Sequence, residues 1–349
     1  MKKLSSLFCL AAMAFAVTMV SCSKSDNPAE PDEPVIPEQP KIHDGDELSE
    51  AITLYSEVVD GVPTLTLPAG VSVELNAEVQ LLAPLSIKGD AQNPAKIKIG
   101  AEGKFTGGLQ IENAIIDASE LASPLITLGT EDAAEWTFAS VGFVNVTMTG
   151  LKQALVYSGC KNYDVALLVD NSNIQVAADV TVFDFTKGSF PITFDIKNST
   201  FWAPEATSKS FFSSQGGQKA TEMTDGTESF NFENSTFYNL TKSKNFFTHR
   251  QANQTWLLYT VKDCIFVNCG KSGQAIKGLN QSQGGANPTW NISGNVFNFD
   301  GADTSEAEGT GDDAEPIVDS KAVVVNFADA ANGDFTQAEA KAGDPRWIK

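Results

Sequence analysis

Side chains that could carry acid–base chemistry are scarce in this sequence. Only two arginines and two histidines occur in 349 residues, at Arg250, Arg346, His43 and His249. Removal of a proton next to a carboxylate, the step of a β-elimination on a uronate-containing glycan, requires a base such as Lys or Arg and positive charge that holds the developing anion. An elimination enzyme would therefore have to use Arg250 together with a lysine such as Lys244 or Lys277.

Hydrolysis and metal binding have even less support. Glycoside hydrolysis needs converging carboxyl groups, and the chain contains no Asp-Asp or Asn-x-Asp cluster joined to a Gly-His-Gly. Residues 303–319 hold seven acidic residues and no basic one, but they lack the regular spacing of a calcium loop. A solvated loop is the simpler interpretation. We expect no cofactor and no metal site, with Ca²⁺ as the one ion left open.

Five side chains suit binding better than catalysis. Lys187, His249, Arg250 and Lys277 lie at or just after short apolar segments, where they could form a partly basic row on an acidic protein. Trp202 follows an inward position and is predicted to point outward, and exposed aromatic rings bind sugar faces by stacking and burial. The alternative interpretation is solvated lysines, a structural ion pair for Arg250 and ordinary packing.

A repeat organises the middle of the chain and must position these side chains. Apolar residues lie four and two residues before a polar marker and three residues after it, which is the period-two burial of a strand on each side of a one-residue corner. The markers follow one another at intervals of 27 to 36 residues and are Asn113, Ser140, Asn171, Asn198, Asn234, Asp263 and Gly294.

The corner residues predict the fold class. Asn, Asp and Gly tolerate the left-handed backbone conformation that a sharp bend between two strands requires, and stacked corners could bond amide to amide. A period of about 30 residues suits a three-strand coil. We predict an all-β, right-handed, single-stranded parallel β-helix, with third strands at residues 154–157, 181–185, 210–213, 245–248 and 274–277.

The two ends of such a solenoid must be closed. Residues 48–55 have helical apolar spacing and predict a short N-terminal capping helix. Residues 342–347 (Ala-Gly-Asp-Pro-Arg-Trp) predict a capping turn in which Trp347 closes the core. Of the cysteines, Cys160, Cys264 and Cys269 are best explained as small buried residues, with a disulfide between the last two as an alternative.

The N-terminal segment predicts an export signal and a membrane anchor. Lys2 and Lys3 precede an apolar run at residues 7–20 that is too short to span a bilayer. Residues 19–22 (Met-Val-Ser-Cys) resemble a bacterial lipobox, which would place a lipid on Cys22; an ordinary secretory signal is the alternative. Prolines then recur at every third residue from Pro28 to Pro40, which indicates a polyproline spacer of roughly 45 Å.

Net charge restricts the partners. The formal net charge of −20 argues against nucleic acid and against a basic contact with the membrane surface. We therefore expect the membrane to be contacted through the lipid alone.

These features together resemble the pectate-lyase-like β-helix proteins. They are more similar still to a group of Bacteroidetes lipoproteins built from two adjoining "domain of unknown function" families. Residues 332–336 and 342–347 look like the closing segment of the C-terminal family, and residues 235–239 and 264–271 look like its coils. The resemblance spans residues 45–349. It implies a carbohydrate context, often beside glycan-uptake proteins of the outer membrane, and places a glycan cleft beside the third strands.

The sequence therefore predicts a non-catalytic lipoprotein of the outer membrane, exposed at the cell surface, that binds a polysaccharide, which could be acidic and pectin-like. A polysaccharide lyase and a structural or adhesive surface protein are the alternatives. The predicted divisions are a signal peptide at 1–21, a lipidated tether at 22–41, the β-helix at 42–300 and an acidic loop with a C-terminal cap at 301–349.

Overall fold

The computed structural model describes most of the chain after the tether. The described residues are 42–135, 137–185, 189–214, 228–241, 246–249, 257–269, 289–298, 321–322 and 324–349. The predicted signal peptide, Cys22, the tether and the acidic loop at 303–319 lie outside them. No helix among the described residues is long and apolar enough to cross a membrane.

The first half of the fold contains one helix and eleven strands. In chain order these are β1 (Asp46–Glu47), α1 (Leu48–Tyr55), β2 (Glu57–Val59), β3 (Val62–Thr66), β4 (Ser72–Leu75), β5 (Glu78–Gln80), β6 (Leu85–Lys88), β7 (Ala95–Ile99), β8 (Lys104–Thr106), β9 (Leu109–Asp117), β10 (Ile126–Thr127) and β11 (Thr137–Leu151).

The second half continues with strands and ends in two short 3-10 helices. They are β12 (Val156–Ser158), β13 (Tyr163–Asp170), β14 (Asn173–Val176), β15 (Phe183–Phe185), β16 (Phe190–Lys197), β17 (Thr200–Trp202), β18 (Phe212–Ser214), β19 (Glu228–Glu233), β20 (Thr236–Tyr238), β21 (Phe247–His249), β22 (Leu257–Lys262), β23 (Ile265–Val267), β24 (Thr289–Ser293), β25 (Val296–Asn298), β26 (Lys321–Ala322) and the 3-10 helices Ala330–Asn332 and Pro345–Trp347.

Parallel pairing between successive coils confirms the predicted β-helix. Sheet 1 contains β3, β6, β13, β16, β19, β22 and β24; sheet 2 contains β1, β4, β7, β14, β17, β20, β23, β25 and β26; and sheet 3 contains β5, β8, β10, β12, β15, β18 and β21. Strands β9 and β11 run around the corner and belong to sheets 1 and 2. Parallel connections are right-handed in about 98% of cases, which is the predicted sense.

The third strands lie where the repeat placed them. Strands β12, β15, β18 and β21 overlap the predicted segments, each beginning two residues later. The fifth predicted segment, at 274–277, lies outside the described residues. Each described third strand pairs in register with the next, and together they form sheet 3.

Left-handed backbone marks the corner between sheets 1 and 2. Six of the seven predicted corner residues have a positive φ, between 47° and 68°: Asn113, Asn171, Asn198, Asn234, Asp263 and Gly294. Ser140 is wrong. The corner of its coil is Asn145, with φ 53°, and Phe138, which the Ser140 register would bury, is 57% exposed. The physical reason is that Asn tolerates the left-handed backbone of the corner and bonds the neighbouring corners through its amide.

Amide stacking at the corner is present over three coils. The Asn145 Nδ2 donates to Asn113 Oδ1 at 2.7 Å, and the Asn171 Nδ2 donates to Asn145 Oδ1 at 3.3 Å. At the next coil the pattern changes, because the Asn198 Nδ2 donates to the carboxylate of Asp170 at 2.9 Å.

A second ladder lies directly behind the corner and is buried. The Ser172 amide donates to Ser199 Oγ at 3.1 Å, and the Ser199 amide donates to Ser235 Oγ at 3.2 Å. Cys264 takes the serine position in the next coil, where its thiol donates to carbonyl groups and burial raises its pKa to about 12. The Cys264 amide donates to Asn295 Oδ1 at 2.9 Å. The three described cysteines are buried, as predicted, and none of the three forms a disulfide.

The interior changes character along the solenoid. The first coils are filled by aliphatic side chains such as Ile87 and Ile111, whereas later coils stack phenylalanines. Phe201, Phe237 and Phe266 form one stack with ring centroids 6.1 and 4.9 Å apart and nearly parallel planes. Helix α1 covers the first coils with Leu48 and Ala51, which confirms the predicted capping helix.

The C-terminal segment lies along the side of the solenoid. The Gly343 amide donates to the carbonyl of Asp263 at 2.7 Å, and the Asp344 amide donates to Thr236 Oγ1 at 3.0 Å. Thr200 Oγ1 donates to Asp344 Oδ2 at 2.7 Å and accepts from the indole nitrogen of Trp347 at 2.8 Å. The segment therefore crosses successive coils on the outside of sheet 2. The prediction that Trp347 closes the core is wrong, because Trp347 packs against Phe335 outside the coils.

Candidate functional site

Most of the side chains predicted to bind a ligand are not placed by the described structure. Lys187, Lys244, Arg250 and Lys277 lie outside the described residues, so their roles stay predictions. His249 ends β21, and its backbone pairs with that of Ser214. The predicted basic row as a whole therefore stays a prediction.

The structure corrects the prediction that Trp202 is exposed and stacks on a sugar ring. It points outward from the coil, as expected, but it is only 6% exposed. Its indole nitrogen donates to Asn173 Oδ1 at 3.0 Å, and its ring lies edge-on to Phe335 with centroids 5.8 Å apart. A sugar ring cannot stack on Trp202 in this arrangement, because the C-terminal segment already covers it.

Arg346 and His43 serve other purposes. The guanidinium of Arg346 binds the buried carboxylate of Asp344 and also donates to the carbonyl of Ser172 at 2.7 Å. His43 is exposed, with its Nδ1 3.9 Å from Asp46 Oδ2. The contacts of Arg346 are therefore those of a residue that fixes the C-terminal segment.

A row of polar side chains crosses the outer face of sheet 3. Strand pairing aligns one outward residue from each of five successive coils: Thr106, Thr127, Tyr157, Asp184 and Ser213. Each is half-buried, while the preceding residue of each strand is buried in the core. Neighbouring strands lie about 4.8 Å apart, so the row is a strip roughly 19 Å long. We name these five residues the sheet 3 row.

Asp184 differs from the rest of the row in its electrostatics. Its Oδ1 is buried and has no hydrogen-bond partner. Burial raises the pKa of this carboxyl above its ordinary value, and no neighbouring charge opposes the effect. An unpaired buried polar group costs about 1–3 kcal/mol, and carboxyls with a shifted pKa are found at functional sites more often than elsewhere.

Asp179, five residues earlier, shows what a structural aspartate looks like in the same loop region. Burial acts to raise the pKa of Asp179, but hydrogen bonds from the Ser208 side chain and from the Ser208 and Lys209 amides outweigh it and lower the pKa. The amide bonds measure 2.6 and 2.8 Å. Asp179 therefore holds two loops together, whereas the buried Oδ1 of Asp184 has no hydrogen-bond partner.

The sequence contained a signal for Asp184 that the repeat analysis did not use. The segment Phe183-Asp-Phe185 was predicted to be a third strand, and two phenylalanines on either side fix the aspartate on the opposite face. A carboxylate within an otherwise hydroxyl-bearing strip could therefore have been identified from alternation alone. What alternation could not give is the burial of its Oδ1.

The chemistry of the row fits binding of a hydroxyl-rich ligand. Tyr, Ser and Thr hydroxyls both donate and accept hydrogen bonds, and the phenol ring of Tyr157 adds an apolar surface. The row has one carboxyl group, whereas glycoside hydrolysis uses two. Among the described residues, no cluster of three or more His, Cys, Asp or Glu side chains could hold a metal ion.

A second open surface lies on sheet 2 in the first coils. A groove of about 320 Å³ is lined there by Gly45, Ser72, Val73, Glu74, Lys96, Ile97, Lys98, Ile115 and Asp117. Lys98 bonds the carboxylate of Glu120 at 2.9 Å, and this contact raises the lysine pKa. The groove thus mixes charges of both signs around one exposed aliphatic side chain, Ile115, which is 41% exposed.

Comparison with known proteins gives a limited result. No protein-family model matches the chain, and no curated protein matches it. The solved structure of a pectin methylesterase from Aspergillus niger, in deglycosylated form, matches 87% of this chain and 92% of that chain at 10% identity, with a TM-score of 0.40. A match of this quality carries no argument about activity, and the β-helix rests on the strand pairing described above.

Proposed function

We propose that this protein binds a polysaccharide on the outer face of sheet 3 without cleaving it. The observation that carries the proposal is the sheet 3 row, in which five successive coils each present one half-buried polar side chain. A strip of regularly spaced hydrogen-bonding groups suits a long ligand that repeats the same polar groups, and a polysaccharide is such a ligand.

The chemical content of the row supports binding over cleavage. Hydrolysis would need a second carboxyl group opposite Asp184, and elimination would need a cation to hold the developing negative charge. Neither type of group belongs to the row. The lyase alternative depends on Arg250 with Lys244 or Lys277, outside the described residues, and the structural or adhesive alternative predicts no ligand at all.

The cellular setting completes the proposal. We infer that a lipid on Cys22 anchors the protein in the outer membrane, that the proline-rich tether holds it at the cell surface, and that it works beside glycan-uptake proteins. The sequence of the lipobox and the tether supports this setting. Replacing Cys22 with Ala is expected to release the protein from the membrane fraction; retention there would contradict the anchor.

One assay separates binding from cleavage. The purified protein is incubated with galacturonan, alginate, glycosaminoglycans and neutral polysaccharides, and binding is measured alongside the absorbance of newly formed unsaturated ends. Binding without new ends supports the proposal, new unsaturated ends would establish the lyase, and the absence of both would favour the structural alternative.

Two variants test whether sheet 3 is the binding face. Tyr157→Ala and Thr127→Ala are expected to weaken binding, because each removes one hydroxyl from the row. Thr149→Ala is the matched control, since Thr149 is an exposed outward threonine of sheet 2. Equal binding by Thr127→Ala and Thr149→Ala would move the site away from sheet 3.

Arg250→Ala tests the predicted basic row: weaker binding of an acidic glycan with unchanged stability would support it.

A further inference from the structure

Asp184 lies at a position where a permanently ionised carboxylate is hard to explain. It is the fourth of the five residues of the sheet 3 row, between Tyr157 of β12 and Ser213 of β18. The only titratable side chain on these two strands is the phenol of Tyr157. No described lysine or arginine forms an ion pair with Asp184, and its Oδ1 is buried without a partner.

Protonation of Asp184 removes most of the desolvation penalty of its carboxyl group. An ionised carboxylate that is partly shielded from water and lacks a donor pays a desolvation penalty that the neutral acid does not pay. The neutral acid also gains a hydrogen-bond donor, the O–H, which the ionised form lacks. The surroundings of Asp184 therefore favour a carboxylic acid that can donate.

The overall charge of the protein makes this donor useful. The chain carries a formal net charge of −20, and the sheet 3 row has no positive side chain to attract an acidic ligand. A carboxylate of the ligand placed against an ionised Asp184 would be repelled, since two like charges at a shared site cannot both ionise freely. Against a neutral Asp184, the same carboxylate would accept a charge-assisted hydrogen bond, which is among the stronger kinds.

We propose that Asp184 meets the ligand as a neutral carboxylic acid and donates a hydrogen bond to a uronate carboxylate of the bound polysaccharide. This inference rests on the proposed function and names the ligand class for the same face. A single proton is then shared between the two carboxyl groups, and the Tyr157 and Ser213 hydroxyls on either side bind the sugar hydroxyls. The polysaccharide therefore dissociates when the pH rises and that proton is lost.

The test follows affinity for polygalacturonate as a function of pH, with an uncharged galactan as the comparison ligand. For the wild-type protein, affinity for polygalacturonate is expected to fall by up to about tenfold per pH unit once the Asp184 proton is lost from the free protein, because binding then takes up one proton. Affinity for the galactan should change little over the same range.

The variants make the assignment specific to Asp184. Asp184→Asn keeps the shape and a permanent donor, so its affinity for polygalacturonate should no longer depend on pH. Asp184→Ala removes the donor and should bind more weakly at low pH. Asp117→Asn is the matched control, because Asp117 is an exposed outward aspartate on sheet 2, and it should keep the wild-type profile.

A stability measurement separates the role of the proton from misfolding. Since the Asp184 pKa is raised in the folded protein, the folded state holds this proton more tightly than the unfolded chain, and stability is expected to fall as the pH rises from the ordinary aspartate value through the folded-state value. Asp184→Asn should flatten this part of the profile.

The outcomes distinguish this inference from the proposed function. A pH-independent affinity for polygalacturonate in the wild type, or an Asp184→Asn profile identical to it, would overturn the inference and leave polysaccharide binding intact. Absence of binding to every polysaccharide at every pH would overturn the proposed function and the inference with it.

Discussion

The outer face of sheet 2 is open in the first coils and covered in the later coils, although the same kind of parallel strand forms both parts. In the first coils most of its outward positions are polar or charged, as at Glu74, Lys98 and Asp117, and they border an open groove. In the later coils the corresponding positions are Trp202, Tyr238 and Val267, and the C-terminal segment covers them. The pairing register shifts once where the two halves meet, between Met148 and Leu151 of β11.

The difference shows that strand period tells which residues leave the core but does not tell whether they meet water. Side-chain type decides the second question. An outward tryptophan next to an outward tyrosine exposes an apolar patch, and such patches are normally covered by another part of the chain or by a partner. The charged outward residues of the first coils need no cover.

The largest expected effect tests whether the contact between Trp202 and the C-terminal segment that covers it stabilises the fold. Trp202→Ala should lower the free energy of unfolding by about 3–5 kcal/mol, because the indole is buried and its loss leaves a cavity under Phe335. Ile115→Ala, an outward position in the open half, is the matched control and should lie within about 0.5 kcal/mol of wild type. Chemical denaturation measures both, and equal effects would erase the distinction between the halves.

The ion pair that fixes the C-terminal segment should rank second. Arg346→Ala leaves the buried carboxylate of Asp344 without its cation and is expected to cost about 2–3 kcal/mol. If the segment detaches, the newly exposed Trp202 should change its fluorescence and an apolar dye should bind. If the variant loses the expected stability but its fluorescence spectrum is unchanged, the segment stays bound, and the loss of stability does not come from its detachment.

Two threonines on one outward row provide a smaller, closely matched pair. Thr236 accepts from the Asp344 amide at 3.0 Å, so Thr236→Val should cost about 1–2 kcal/mol by leaving that amide unpaired. Thr147 occupies the same row in the open half, and Thr147→Val should be nearly neutral. Thermal unfolding of the two variants side by side checks the difference, which would disappear if the segment were loosely held.

The smallest effect is expected in the open half. Lys98→Ala removes a solvent-exposed ion pair with Glu120, and surface pairs of this kind contribute little and are screened by salt. We expect no measurable change in the midpoint of thermal unfolding at low or high salt. A clear destabilisation would mean that the charged groove supports the fold in the way the C-terminal segment does.

Much of the fold could be predicted because the repeat encodes it locally. Left-handed Asn residues and period-two burial are properties of single coils, and they located six corners and the third strands. Ser140 failed because strand β11 is long enough to contain two alternating patterns, at Phe138 and at Phe143, and only the contact of Asn145 with neighbouring coils selects between them.

The candidate site was harder to predict because it depends on contacts between distant segments. The cover over Trp202 comes from Phe335, more than one hundred residues later, and no local pattern announces it. The environment of Asp184 likewise depends on the coils on either side. The described residues of sheet 3 therefore moved the proposed site from the predicted basic side chains to a row of hydroxyls and one acid.

The serine ladder behind the corner has a consequence for chemical ageing. Asn171-Ser172 and Asn198-Ser199 are Asn-Ser steps, in which the serine amide nitrogen can attack the asparagine side chain, close a succinimide ring and leave a deamidated corner. In the folded protein both of these nitrogens are already hydrogen-bonded to the hydroxyl of the next serine, and the corner fixes each asparagine in a left-handed backbone conformation. Deamidation at these steps should therefore proceed from the unfolded chain, so the ladder that aligns the coils also sets the chemical lifetime of the asparagines that make them.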